Sequence, residues 1–347
     1  MKKFTFIRGR SMVLLLLFSL SLSPSLLATH IMGSDITYFC TGPNQYEVTL
    51  TLFRDCAGIL PIATQTINYQ SNFCGVSSSL VLSQPSFPID VTPLCPSQTS
   101  ACSGGSSQFG IEQYTYTGTL NLPPGCDDWV LSWKNCCRNY AITTLANPGN
   151  QSIYVEALLD NTISPCNNSP VFNNIPTPIV CVNQPVIYNH GVTDPDGDQL
   201  VFSLVDCAQE SNQSVLYGAG FNATTPLATA GGVIVDASTG EITFTPNQIQ
   251  IGVICVLVEE FRGGVKIGET VRDMQFSVIG CTNTPPVATG VNGSTVDFDV
   301  DICVGQNFCF DINMSDVDGD NVFGFWNNGI PSATFTIASN NTNTPTG

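Results

Sequence analysis

One pattern occurs twice in this chain. Cys181-Val182-Asn183-Gln184 leads after nine residues into Asp194-Pro195-Asp196-Gly197-Asp198. Cys303-Val304-Gly305-Gln306 leads at the same spacing into Asp316-Val317-Asp318-Gly319-Asp320. Matching cassettes at a fixed period mean tandem copies of one domain. At 347 residues the chain has room for two or three domains of ordinary size.

Local patterning says what those domains are made of. From Gln45 to Arg54, Tyr46, Val48, Leu50 and Leu52 fall on one face, with Glu47, Thr49 and Thr51 opposite, the period-2 alternation of a half-buried strand. The turn Thr41-Gly42-Pro43-Asn44 joins it to a preceding strand, Asp35 to Cys40. Tyr114–Leu120, Trp129–Trp133, Ser152–Leu159, Leu200–Val205, Glu241–Thr245, Gly252–Phe261 and Val271–Ile279 read as further strands. Gly263-Gly264 turns the chain into a short extended piece, Val265 to Glu269. No stretch keeps a helical period over three turns. The expectation is an all-β chain of tandem β-sandwiches. A Cys-rich first domain spans 29–165 and a repeat spans 166–281. A second copy of the repeat, 282–347, opens on Thr284-Pro285-Pro286 and ends soon after Asp320. It reads as incomplete, as though the sequence were the N-terminal part of a longer protein.

The first 28 residues read as a secretory signal peptide. Lys2, Lys3, Arg8 and Arg10 precede the apolar run Met12–Leu22, and Leu26-Leu27-Ala28 offers a small residue for cleavage. No later segment is long and apolar enough for an integral membrane span. All fifteen cysteines lie beyond the signal, so export makes disulfides the default reading. Cys95 and Cys102 staple the loop between Pro85 and Ser107. The neighbours Cys136 and Cys137 are expected to pair with different partners. Connectivity stays open, and the odd count leaves one thiol over. With no C-x-x-C and only two histidines, a zinc cluster is not expected.

Charge excludes other classes. Asp and Glu number 27 against 10 Lys and Arg, and four of the ten lie in the first ten residues. So acidic a mature surface repels nucleic acid and anionic lipid and favours divalent cations. A hydrophobic content of 43% is too high for a disordered acidic chain.

The cassettes supply the cation chemistry. Calcium takes six to eight oxygens at about 2.3–2.6 Å. Asp194, Asp196 and Asp198 offer three carboxylates, as do Asp316, Asp318 and Asp320, and the Gly allows the loop to turn. This is not an EF-hand, which needs Gly sixth and Glu twelfth; here Gly197 is fourth and Val205 twelfth. Further ligands must come from elsewhere. Glu259 and Glu260 end a long strand, but alternation points them to opposite faces, so at most one serves. The alternative is a plain Asp-Gly turn with solvated acids.

Catalytic signals are sparse. The sequence lacks G-x-S-x-G, H-E-x-x-H and P-loop motifs, and its histidines are His30 and His190. Asp127-Asp128 beside Trp129 is the best carboxylate pair for a glycosidase, set against a solvated turn before a core strand. Trp129, Trp133 and Trp326 are candidate sugar-stacking platforms, set against core packing.

The run from Asp194 to Leu204, followed by Val235-Asp236-Ala237-Ser238-Thr239-Gly240-Glu241-Ile242-Thr243-Phe244-Thr245-Pro246, resembles the cadherin-like and Ig-like repeats of bacterial surface proteins. Arg54-Asp55-Cys56, Trp133-Lys134-Asn135-Cys136-Cys137-Arg138-Asn139, Val258 to Arg262 and Arg272-Asp273-Met274-Gln275-Phe276 are similar to large secreted surface proteins of the Bacteroidetes. Such proteins often end in a type IX secretion sorting domain labelled gliding-motility-associated; no such domain is present in this sequence. The resemblance implies export and display at the outer-membrane surface. The expected function is a non-enzymatic adhesin or matrix component. Its sandwiches would be stabilised by calcium, and its partners would be surface proteins or glycans. The alternative is the accessory or carbohydrate-binding region of an exported hydrolase.

Overall fold

The computed structural model describes residues 30–94, 98–105, 110–176, 179–281, 287–288, 314–315 and 317–318. The alternation at 45–54 becomes β2 (Gln45–Asp55), with Tyr46, Val48, Leu50 and Leu52 wholly buried. β1 (Ile31–Gly42) pairs with it antiparallel across Pro43-Asn44, where Asn44 takes a φ of 58°, a conformation Asn tolerates better than most residues. Around this hairpin lie β3 (Thr64–Ser71), β4 (Val76–Ser83), the short β5 (Ile89–Asp90), β6 (Ile111–Asn121), β7 (Trp129–Asn135) and β8 (Ile153–Leu159). Their order is β1-β2-β6-β4-β3-β7-β8. Inward side chains from both ends of this path make one core, in which Trp129 and Trp133 meet Tyr46, Leu50 and Val155. The Trp rings therefore pack the interior and are not stacking platforms; Trp326 lies outside the described residues.

β3 and β4 were not expected. β3 places Gln65 and Ser71 at inward positions, and β4 carries Ser77-Ser78-Ser79. Apolar periodicity is therefore weak in both. Gln65 is tolerated inside because Trp133 Nε1 donates to its Oε1 at 3.1 Å.

The following strands are β9 (Val171–Phe172), β10 (Ile179–Cys181), β11 (Val186–Tyr188), β12 (Val192–Thr193), β13 (Gln199–Val205), β14 (Ala208–Glu210), β15 (Gln213–Ser214), β16 (Ile234–Val235), β17 (Ile242–Phe244), β18 (Gln250–Arg262) and β19 (Val265–Ile279). β18 and β19 form a long hairpin across Gly263-Gly264, both at positive φ as such a two-residue turn requires. The pieces expected separately at 265–269 and 271–279 are this one strand. β13-β18-β19 packs against the three-stranded sheet β11-β17-β16 over a second core, with Phe202, Ile242, Phe244, Val256, Val258 and Phe276. The result is all-β, disulfide-rich and sandwich-like.

β19 joins the two segments delimited at 165. On one edge it pairs with β18. On the other it pairs with β8 at Gly268–Thr270, with β1 at Asp273–Met274 and with β10 at Ser277–Ile279. The described residues up to Ile279 form one compact unit. Buried ion pairs sit at the join. Arg138 Nη1 donates to Asp273 Oδ1 at 3.1 Å, and Arg272 Nε lies 3.2 Å from Asp35 Oδ2. In the second unit, from Gly280, Val287–Ala288 pairs with Met314–Ser315.

Cys40 bonds Cys166, Cys56 bonds Cys102, Cys74 bonds Cys126 and Cys207 bonds Cys255. Cys181 and Cys281 are disulfide-bonded as well. Cys102 staples its loop to Cys56 just after β2, and Cys95 lies outside the described residues. One expectation is corrected: Cys136 and Cys137 bond each other, and the peptide between them is cis. The described disulfides fit an oxidising, extracellular compartment. Among the described residues no helix is long and apolar enough to cross a membrane. The signal segment and Cys303 and Cys309 lie outside them.

Candidate metal centre

The Asp194–Asp198 loop folds on its own first carboxylate. Asp194 Oδ1 accepts from the backbone N–H of Asp196 at 2.8 Å and of Asp198 at 3.0 Å. Gly197, at φ 81°, lets the chain close. The loop then enters β13, whose register against β18 sets Gln199 opposite Phe261 and Leu200 opposite Glu260. One step beyond that pairing, Asp198 comes beside Arg262. Alternation along β18 sends Glu260 inward and Glu259 outward, where Glu259 meets Lys266 at 3.0 Å.

Three acids therefore converge. Carboxylate oxygens of Asp194, Asp198 and Glu260 lie within 4.8 Å of one another. That spread is what ligands around a single ion at about 2.4 Å would show. Asp194 Oδ2 and Glu260 Oε2 are buried with no hydrogen-bond partner. Such orphaned acceptors cost about 1–3 kcal/mol each unless something fills the gap. Glu260 is 0% exposed, and its Oε1 accepts from Asn167 Nδ2 at 2.6 Å. Opposite it on β19, Gly268 makes room: a Cβ there would lie 2.8 Å from Glu260 Oε2 and 2.8 Å from Tyr38 Oη.

Asp196 stands outside this triad. Its carboxylate accepts from Asn168 N and Asn168 Nδ2, each at 2.8 Å, and lies 3.3 Å from Arg262 Nη2. Arg262 is the resident cation. Its Nε donates to Asp198 Oδ1 at 2.8 Å, and its other nitrogens donate to Ser164 Oγ and Asn167 Oδ1. The segment carrying Ser164, Asn167 and Asn168 is pinned to β1 by the Cys40–Cys166 bond and by Tyr38 N donating to Ser169 Oγ at 2.8 Å.

The electrostatics follow from burial. Desolvation, reinforced by Asp194 and Asp198, pushes the Glu260 carboxyl up to about 8. Burial also raises Asp194, while the Arg262 hydrogen bond lowers Asp198. Without a metal the cluster thus holds a proton on Glu260 beside ionised Asp198. The donor set is oxygen only, which suits a hard cation such as calcium.

Of the expected residues, Asp194, Asp198 and Glu260 come together, and Asp196 and Glu259 do not join them. Of the second cassette, Asp318 belongs to the second unit, and Asp316 and Asp320 lie outside the described residues. Arg262, Asn167 and Gly268 were missed as site residues; strand pairing reveals Arg262 and Gly268, and the Cys40–Cys166 bond places Asn167. Asp128 caps a turn, accepting from Asn72 N at 2.9 Å and Phe73 N at 3.0 Å. His190 is enclosed by Tyr188, Phe172 and Phe202, and burial lowers it to about 3, so it is neutral.

No protein-family model matches the sequence, and no curated protein matches it.

Proposed function

We propose that the chain is a non-enzymatic secreted cell-surface protein, an adhesin or matrix component whose β-sandwiches are stabilised by calcium. The observation that carries this reading is the buried oxygen cluster of Asp194, Asp198 and Glu260 at the junction of β13, β18, β19 and the strap after Cys166. An ion there ties the 194–198 loop to β18, which are distant in sequence, so its affinity becomes folding stability. The disulfides act in the same direction inside an exported chain. Glu260 is fully buried, which suits a structural ion better than a group that must reach substrate. Surface display and association with the outer membrane complete the reading and follow from the family resemblance. It is tested on the whole secreted protein by thermal unfolding in EDTA and in calcium. Calcium raises Tm in the wild type and leaves Asp194→Asn unshifted. A wild type whose Tm ignores calcium overturns the metal site.

A further inference from the structure

A second site lies on the outer face of the β1-β2-β6 sheet, away from the acid cluster. A groove of about 350 Å³ runs there between the sheet and the segment Val171–Ile175. That volume falls at the small end of the range for small-ligand pockets, roughly 300–1,000 Å³. Its floor is set by register. Asp35, Thr51 and Thr115 form one cross-strand row, and Thr37 lies opposite Thr49 in the next. Four threonine hydroxyls thus share one concave surface; Thr51 already bonds Asp35, and those of Thr37, Thr49 and Thr115 can donate and accept. Phe39, 55% exposed, lines the groove, as do Asn173 and Asn174 from the facing segment.

The closed end is built from buried charge. The Arg272 side chain is 2% exposed, and its guanidinium lies 4.4 Å from the centre of the Phe172 ring. Nη2 donates to the Asn174 carbonyl at 2.7 Å, Nε faces Asp35 Oδ2 at 3.2 Å, and the buried Nη1 has no hydrogen-bond partner. Asp35 beside it balances the charge, so the groove selects no ion. The one donor left over, Arg272 Nη1, calls for a neutral acceptor. The backbone of these interior strands is already paired, so a peptide cannot bind here by strand addition.

Hydroxyls that donate and accept, an exposed aromatic residue, one spare donor at the closed end and no net charge match a single ligand chemistry. We infer that this groove binds a neutral saccharide unit of a surface glycan, with the sugar ring on Phe39 and its hydroxyls on the threonine rows. The inference rests on the reading of the chain as a protein that makes contacts at the cell surface, and it names the partner's chemistry.

The test is saturation-transfer NMR and calorimetry on the whole secreted protein. The probes are neutral cello-, xylo-, manno- and chito-oligosaccharides, with oligogalacturonate as the acidic control. At least one neutral probe binds, and its contacts map to Phe39. Phe39→Ala weakens that binding at least fivefold and Thr49→Val severalfold, both at unchanged Tm. No binding by any neutral probe overturns the groove and leaves the calcium reading standing. Binding of oligogalacturonate alone, or wild-type affinity in Phe39→Ala, also overturns it. Cleavage of a bound probe keeps the groove and overturns the non-enzymatic reading.

Discussion

Replacing Glu260 with Gln gives a stability change whose sign reverses common expectation for a buried hydrogen-bonded residue. Gln keeps the acceptor for Asn167 Nδ2 and the shape that Gly268 accommodates. It removes a carboxyl that burial raises from 4.5 to about 8. Between those values the folded chain holds a proton that the unfolded chain has released. Stability from this group is therefore fully present below 4.5 and is lost as pH rises toward about 8. At 1.36 kcal/mol per unit, the cost of keeping Glu260 reaches up to about 3 kcal/mol at pH 7 and up to about 5 kcal/mol above pH 8. In EDTA, Glu260→Gln is thus more stable than the wild type at pH 7, and the two converge near pH 4.5. Urea unfolding followed by the fluorescence of the buried Trp129 and Trp133, across pH 4.5 to 8.5, reads the difference directly. A variant that is less stable at pH 7, or a gap that does not change with pH, refutes the reasoning.

Three other substitutions probe the scaffold. Gly268→Ala drives a methyl against Glu260 Oε2 and Tyr38 Oη, each 2.8 Å away, and lowers stability in urea by about 1–3 kcal/mol. Replacing both Cys40 and Cys166 with Ala opens a 126-residue loop; chain entropy puts the loss at about 4–5 kcal/mol, and the calcium response weakens because the strap bearing Asn167 is released. Arg138→Met leaves Asp273 buried and unpaired and costs about 3–5 kcal/mol by the same assay, whereas Arg138→Met with Asp273→Leu recovers most of that loss.

The fold class was legible because alternation is a local signal. β2 reads directly from Tyr46, Val48, Leu50 and Leu52, and the β18–β19 turn from Gly263-Gly264. β3 and β4 escaped because Gln65 and three serines occupy strand positions where apolar residues would have marked the pattern. The sharing of β19 among β8, β1 and β10 was not legible, since nothing local says which edges meet. The acid site was half legible. Alternation alone separated Glu259 from Glu260, but the partnership of Asp198 with Arg262 depends on β13 pairing with β18 in one register. Cys136 and Cys137 misled because the strain of a bond between neighbours argues for separate partners.

A crystal structure grown with calcium addresses the metal site itself. The prediction is anomalous density for one ion with Asp194, Asp198 and Glu260 oxygens at about 2.3–2.6 Å and Arg262 turned away from Asp198. Crystals that hold calcium at other positions while Arg262 still grips Asp198 and this cluster stays empty contradict it.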